Sequence, residues 1–410
     1  MPDGSEGGKP TYRVLLAVRE FTALWCAVAL SVVGDQFARV ALSLLVYDRT
    51  GSPWWTAVTY SMTFIPDLIG GPLLAGWADR LPRRRLMVGT DLTRAVLVAM
   101  MAIPGMPTGV LIALLFLTQL VATPFNAARS AVLPTMLPND NLYALGQGLM
   151  HQTYQLGLIL GFPVGALVTT GMGTSGALLL DAATFVISAA LIQLFVGERD
   201  AAQAKAQRPP TTLGLLRAGW RLVMGTPSLR ALLGLACVAG FYIAPESLAV
   251  PYAEQIGADT LGVGLLLAAN PVGTLIGAFI LTRFMSAETR LRWLAPLAIV
   301  TSLVLLPAAL APGLGMSLVL FALSGLFSAH DVITNTEYVR RVPNDQRGQA
   351  FGIANAGMRG AQGLGVLLTG ALAEWVQPSD TIALASLAGI IVTILAARAW
   401  HRTLPPPDQV

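Results

Sequence analysis

The sequence predicts an all-α integral membrane protein with about twelve transmembrane helices in two six-helix bundles. Three observations predict it. Of 410 residues, 54% are hydrophobic and only 12% charged, where a soluble domain carries about 25% charged. Apolar runs of about 20 residues, long enough to span a bilayer, recur along the whole chain. The basic residues between those runs alternate from one side to the other in the pattern that fixes membrane orientation.

Spans are expected at 21–47, 54–77, 86–104, 109–132, 145–170, 175–196, 230–251, 259–282, 294–311, 314–337, 349–373 and 379–399. The polar, Gly-rich start (1–9) precedes an apolar run too long for a signal peptide, so the first helix is read as retained. Loops after even-numbered spans, with both tails, hold all the loop arginines but one, including Arg80, Arg83, Arg84, Arg85, Arg199, Arg290, Arg340 and Arg341; the opposite loops hold only Arg49. This places both termini in the cytoplasm and supports an even number of spans.

The longest polar stretch, with Glu198, Arg199, Asp200, Pro209 and Pro210, divides the chain into an N-terminal bundle (1–196), a cytoplasmic linker (197–229) and a C-terminal bundle (230–410). Within the linker, Leu215, Leu216, Trp220 and Leu222 alternate with Arg217 and Arg221, which reads as a short interfacial amphipathic helix; the alternative is the start of the seventh span. The halves repeat: Pro138-Asn139-Asp140 recurs as Pro343-Asn344-Asp345, and Gly165-Ala166-Leu167 as Gly370-Ala371-Leu372, both at an offset of 205 residues. Parallel six-helix repeats enclose a site near the bilayer midplane.

Composition excludes other classes. The net charge of +4 reports loop arginines rather than a nucleic-acid surface. Lysine occurs only at Lys9 and Lys205, and the chain is rich in Ala, Gly and Leu, the usage of a GC-rich bacterium. Cys26 and Cys237 fall within apolar runs as small hydrophobes. No catalytic triad, metal-ligand spacing or phosphate-binding loop appears, so neither an enzyme nor a cofactor is expected.

The loop after span two reads Ala75-Gly76-Trp77-Ala78-Asp79-Arg80-Leu81-Pro82-Arg83-Arg84-Arg85. It resembles the signature of the major facilitator superfamily, Gly-x-Leu-Ala-Asp-Arg-x-Gly-Arg-Arg, through Asp79, Arg80, Arg83 and Arg84, with Ala75 and Pro82 at the glycine positions. The resemblance implies a gate in which Asp79 faces the start of span eleven near Gly348 or pairs with an arginine; the arginines alone would serve as topology anchors. Span five carries Gly157, Gly161 and Gly165 with Pro163 between them, a small-residue packing face that resembles the family's antiporter motif. Phe162 and Ala166 depart from that motif. Ser31-Val32-Val33-Gly34-Asp35, Leu45-Val46-Tyr47 before Thr50-Gly51-Ser52-Pro53, Asp91-Leu92-Thr93-Arg94-Ala95 and Asp181-Ala182-Ala183-Thr184-Phe185 resemble the drug:proton antiporter branch that includes macrolide-efflux and enterobactin-exporter proteins. That resemblance implies proton-driven export.

A charge at mid-bilayer costs about 2.5–3.5 kcal/mol, so intramembrane ionisable residues are functional candidates. They are Asp35, Arg39, Asp67, Asp91, Arg94, Asp181, Glu246, His330, Asp331 and Arg359. Asp35, mid-span with Arg39 one turn on, is the first choice for a proton carrier, which must reach a water-filled cavity and change charge; a static Asp35–Arg39 pair is the alternative. Glu246, Asp331 beside His330, Asp67 and Arg359 are cavity candidates. Asp91 and Arg94 are assigned to the gate with Asp79 and Arg129, and Asp181 to a structural hydrogen bond. The expected partners are a small-molecule substrate, protons and the lipid bilayer, without nucleic acid, for a monomer in the bacterial inner membrane. A proton-coupled uptake symporter and a non-transporting receptor are the alternative readings; intramembrane acids in both halves weigh against the receptor.

Overall fold

The computed structural model describes residues 11–74, 81–199, 212–343 and 346–403, and every regular element among them is helical. α1 (Tyr12–Ala17) leads into α2 (Arg19–Thr50). α2 stops because Gly51 adopts φ 60°, which a Cβ disfavours, and returns its N–H to the Tyr47 carbonyl at 2.7 Å. Ser52 then caps α3 (Pro53–Ser61) by accepting from the Trp55 N–H at 3.3 Å, with Pro53 at the first turn, where its missing N–H costs nothing. A break at Met62–Phe64 separates α3 from α4 (Ile65–Leu74), and α5 (Arg83–Met101) and α6 (Thr108–Met136) follow.

α7 (Asp140–Phe195) has 56 residues, which at about 1.5 Å each would far exceed the bilayer core if straight. Gly173, at φ 72° and ψ 173°, folds it back. In the first arm, Gly157 and Gly165 lie against Val32 and Phe37 of α2; in the second, Ala177 packs with Ala41, and Asp181 and Thr184 lie against Gly34. The arms therefore pass the same helix in opposite directions.

In the second half, α8 (Thr212–Gly225) is a separate helix, because Thr226 is extended (φ −103°, ψ 108°) before α9 (Pro227–Cys237) begins. A break at Thr226 thus sets α8 off from the helix that begins the seventh span. A Cβ at Gly219 would sit 3.0 Å from the Gln349 carbonyl, so α8 rests on the eleventh span. The seventh span is broken into α9, α10 (Ala239–Tyr242), α11 (Ala244–Ser247) and α12 (Ala249–Gln255). Then come α13 (Thr260–Phe284), α14 (Ala287–Leu303) with the 3₁₀ turn Leu306–Leu310, α15 (Gly313–Ser328), α16 (His330–Arg341), α17 (Arg347–Leu372) and α18 (Pro378–His401).

Among the described residues, eight helical stretches are long and apolar enough to cross a membrane, the doubled α7 counted once. The α3–α4 segment, α5 and α17 are helical where the remaining spans are expected, but they carry the charges Asp67, Asp91, Arg94 and Arg359. Exposed Leu160, Leu179, Phe279, Phe284, Leu368 and Leu395 form an apolar outer surface of the kind lipid covers.

Packing defines two ends. At the end carrying the Gly51 turn (the distal end), one buried cluster joins both halves, with Val40, Ala57, Phe162 and Ala166 against Tyr252, Leu266, Val366 and Ile382. At the end where α2 begins and α18 finishes (the proximal end), each half has its own cluster: Phe21, Leu24, Phe125 and Ile192 in the first, Leu229, Leu294, Tyr338 and Trp400 in the second. Glycines permit the distal approach. A Cβ at Gly264 would sit 2.7 Å from the Phe162 carbonyl, and Gly370 lies against Ala57 and the Pro53 carbonyl. The halves are therefore joined distally and parted proximally.

Candidate functional site

The parting encloses a cavity of about 580 Å³ lined by residues of both halves. Aromatic rings from both halves stand in its wall: Tyr60, Phe64, Tyr154 and Phe162 from the first, Tyr242, Tyr338 and Phe351 from the second. The broken seventh span builds one side, because the interruptions at Val238 and Ile243 turn Tyr242 and Glu246 toward the interior.

Two carboxylates line this space, and each accepts a tyrosine hydroxyl. Tyr60 of α3 donates to Glu246 of α11 at 2.7 Å, across the two halves. Tyr242 of α10 donates to Asp331 of α16 at 2.6 Å. His330 is fully buried behind Asp331, its Nε2 3.5 Å from the carboxylate and its Nδ1 3.0 Å from the Phe327 carbonyl. Two guanidiniums also line the cavity, beside the amides of Gln155, Asn270, Asn335, Asn355 and Gln362. Arg39 exposes no partner for its Nε, and Arg359 lies 3.9 Å from Asp67 across the halves and 5.7 Å over the Phe64 ring. An aromatic wall carrying separated acids and guanidiniums suits a solute with apolar bulk and a few polar groups.

Asp35 is elsewhere. Its carboxylate meets Arg94 at 2.9 and 3.3 Å rather than Arg39, and it is not among the cavity residues. Arg94 also stacks 4.0 Å over Phe185. The alternative reading of a static Asp35–Arg39 pair is not what the structure shows: Asp35 turns into the first bundle, while Arg39, one turn on, faces the cavity. Asp91 is likewise interior, accepting from Ser188 at 2.6 Å, and Asp181 lies beside Gly34 with Thr184 3.3 Å away. Asp91 and Arg94 thus form a bundle-interior network of α2, α5 and α7; their expected link to Asp79 falls outside the described residues.

Asp79 and Arg80 of the loop signature lie outside the described residues. Arg83 donates to the Ala131 carbonyl at 2.8 Å, Arg84 and Arg85 hold Glu198 at 2.9 and 2.6 Å, and Arg199 holds Glu20 at 2.7 Å. These arginines tie the proximal ends of the first half together. Gly157, Gly161 and Gly165 seat α7 on Val32, Gln36 and Phe37, with Pro163 inside the helix and Phe162 and Ala166 turned toward Gly264. The motif therefore packs α7 between α2 and the other half. The tyrosines that hold the carboxylates were missed from sequence; a phenol inside an apolar span was the available signal.

Comparison with known proteins agrees with this architecture. The chain is 26% identical to the multidrug efflux pump Tap of Mycolicibacterium fortuitum, over 88% of this chain and 91% of Tap. It is 25% identical to the enterobactin exporter EntS of Escherichia coli O9:H4 (strain HS), over 95% of this chain and 94% of EntS. Among solved structures, a bacterial homologue of the human lysosomal transporter Spinster, in an inward-facing and unoccupied conformation, superposes with a TM-score of 0.70 at 14% identity, covering 98% of this chain and 100% of that one. The Major Facilitator Superfamily profile matches residues 24–329 and 247–410. With two helical halves around a shared cavity, this chain belongs to the Major Facilitator Superfamily, a multi-pass membrane transporter rather than an enzyme.

Proposed function

We propose that this transporter exports a hydrophobic or amphipathic small molecule from a bacterial cytoplasm in exchange for protons, working as a monomer by alternating access. The observation that carries the reading is the pair of tyrosine-held carboxylates, Glu246 and Asp331, in an aromatic cavity between the halves. Carboxylates that a cavity reaches can exchange protons with its water, and they compete with substrate for the same space. Glu246 is the principal coupling residue, because its hydrogen bond to Tyr60 spans the halves that must move. Asp35, paired with Arg94 behind the cavity wall, orders the first bundle.

The arginine-rich proximal end faces the cytoplasm in this reading, so the cavity is open inward. Residues 1–196 and 230–410 rock against each other, with the Asp79–Arg84 loop as the proximal gate. The efflux pump and the exporter among the relatives support the outward direction.

The test uses everted membrane vesicles energised to an acid interior, with a pH-gradient dye and a panel of drugs and siderophores. Addition of a substrate is expected to dequench the dye, and Glu246→Gln abolishes that response. Accumulation of a metabolite in whole cells under a proton gradient, with no dequenching by any compound, would instead establish an uptake symporter.

A further inference from the structure

The turn between the first two spans carries residues that the cavity does not use. Pro53 has no N–H, so the first free donor of α3 is the Trp54 N–H. Ser52 already accepts from Trp55. That leaves the Trp54 N–H, at the positive end of a nine-residue helix, without a partner in its own half. The partner comes from the other half. Glu374, two residues beyond the end of α17, accepts from the Trp54 N–H at 2.9 Å and from the Ser52 hydroxyl. A second carboxylate of that half, Glu254 of α12, accepts the hydroxyl of Tyr47, the residue whose carbonyl closes α2 at Gly51. Gly370, one turn before Glu374, lies against Ala57 and the Pro53 carbonyl. The close approach that Gly370 permits is what brings Glu374 within reach of α3.

We propose that Glu374 and Glu254 form a latch that holds the distal end shut while the cavity is open proximally, with Glu374 acting as an N-cap for α3 supplied by the opposite half. Alternating access requires these contacts to break whenever the distal end opens, and water then replaces both acceptors. Both carboxylates are exposed, so each contact contributes modestly. That is the strength a reversible latch needs, since a tighter one would trap the protein with one end closed. The latch explains why a Tyr-x-x-x-Gly-Ser-Pro-Trp run occupies this turn: Tyr47 and Ser52 supply hydroxyl donors, Gly51 the reversal, Pro53 the vacant first turn and Trp54 the free N–H. It rests on the two-state cycle of the proposed function but not on proton coupling or substrate identity, and its test reads conformation without either.

Spin labels are placed on distal positions of each half by Gly109→Cys and Asp380→Cys, in a chain carrying Cys26→Ser and Cys237→Ser, and distances are measured by double electron–electron resonance. Glu374→Ala is expected to raise the distal-open fraction about fivefold, as loss of a helix cap would, with a smaller rise for Tyr47→Phe. Glu374→Gln, which keeps an acceptor oxygen and loses the charge, falls between parent and alanine. Distance distributions identical to the parent in Glu374→Ala and Tyr47→Phe overturn the latch. If Glu374→Ala fails to fold, Tyr47→Phe decides alone, since it removes a single oxygen. Loss of dye dequenching with the latch response intact would instead fault the proton-coupled reading and leave the latch standing.

Discussion

Arg94 shows how a single side chain fixes the roles of its neighbours. Bound to Asp35 and stacked on Phe185, it holds the Asp35 carboxylate in the interior of the first bundle. Arg39 is thereby left to face the cavity. Removing one partner of a buried pair strands the other charge. Arg94→Ala should therefore destabilise the protein by about 3 kcal/mol, read as a lowered Tm in detergent, and adding Asp35→Ala should recover part of the loss. Equal Tm values for parent and Arg94→Ala would show that the pair carries no structural weight. The sequence made the intramembrane charges legible, because a charge in an apolar run stands out. It did not make their partners legible. Asp35 and Arg39 are one turn apart, but they face different neighbours, and only the packing of α5 beside α2 brings Arg94 to the carboxylate. Tyr60 and Tyr242 were invisible for a related reason: a phenol reads as an ordinary aromatic until a carboxylate is placed beside it.

Among the elements, hydropathy located the helices well, because a spanning run must be apolar throughout. The reversal at Gly173 falls in the gap expected between spans five and six. The interruptions of the seventh span were not foreseen: Gly240, Pro245 and Pro251 lie near the breaks, but the run stays largely apolar across Val238, Ile243 and Leu248 and so reads as one helix. Those interruptions aim Tyr242 and Glu246 into the cavity, so the part of the span that periodicity could not resolve is the part that serves the site. The small-residue face of α7 was legible as a packing surface, but its two-sided use was not. Gly161 seats α7 on α2, while Phe162 and Ala166 meet Gly264 of the other half. Gly264→Leu should wedge the distal ends of α7 and α13 apart, because a tightly packed contact cannot absorb the added volume. We expect initial transport rates to fall about tenfold with helix content unchanged by circular dichroism. An unaltered rate would mean that this contact does not close the distal end.

For the whole molecule, the 205-residue repeat anticipated two related halves, and the repeated glycines show how related halves come to do different work. Gly165 packs within its own half on Phe37, whereas Gly370 packs on α3 of the other half. The second Asn-Asp of the repeat, Asn344-Asp345, lies outside the described residues, while Asn139 of the first caps α7, accepting from Asn141 at 2.9 Å. One buried cluster shared distally and two separate clusters proximally form the geometry on which alternating access operates: the shared contact must part as the separate ones meet. Central to the proposed cycle is competition between protons and substrate at Glu246 and Asp331 in that cavity. The most direct test is proton release on substrate binding to the purified protein, followed with a pH indicator in weakly buffered detergent solution. Release is expected from the parent and from Asp35→Asn, and its loss in Glu246→Gln and in Asp331→Asn. Release that persists in both cavity variants but disappears in Asp35→Asn would contradict it and place the coupling in the interior of the first bundle.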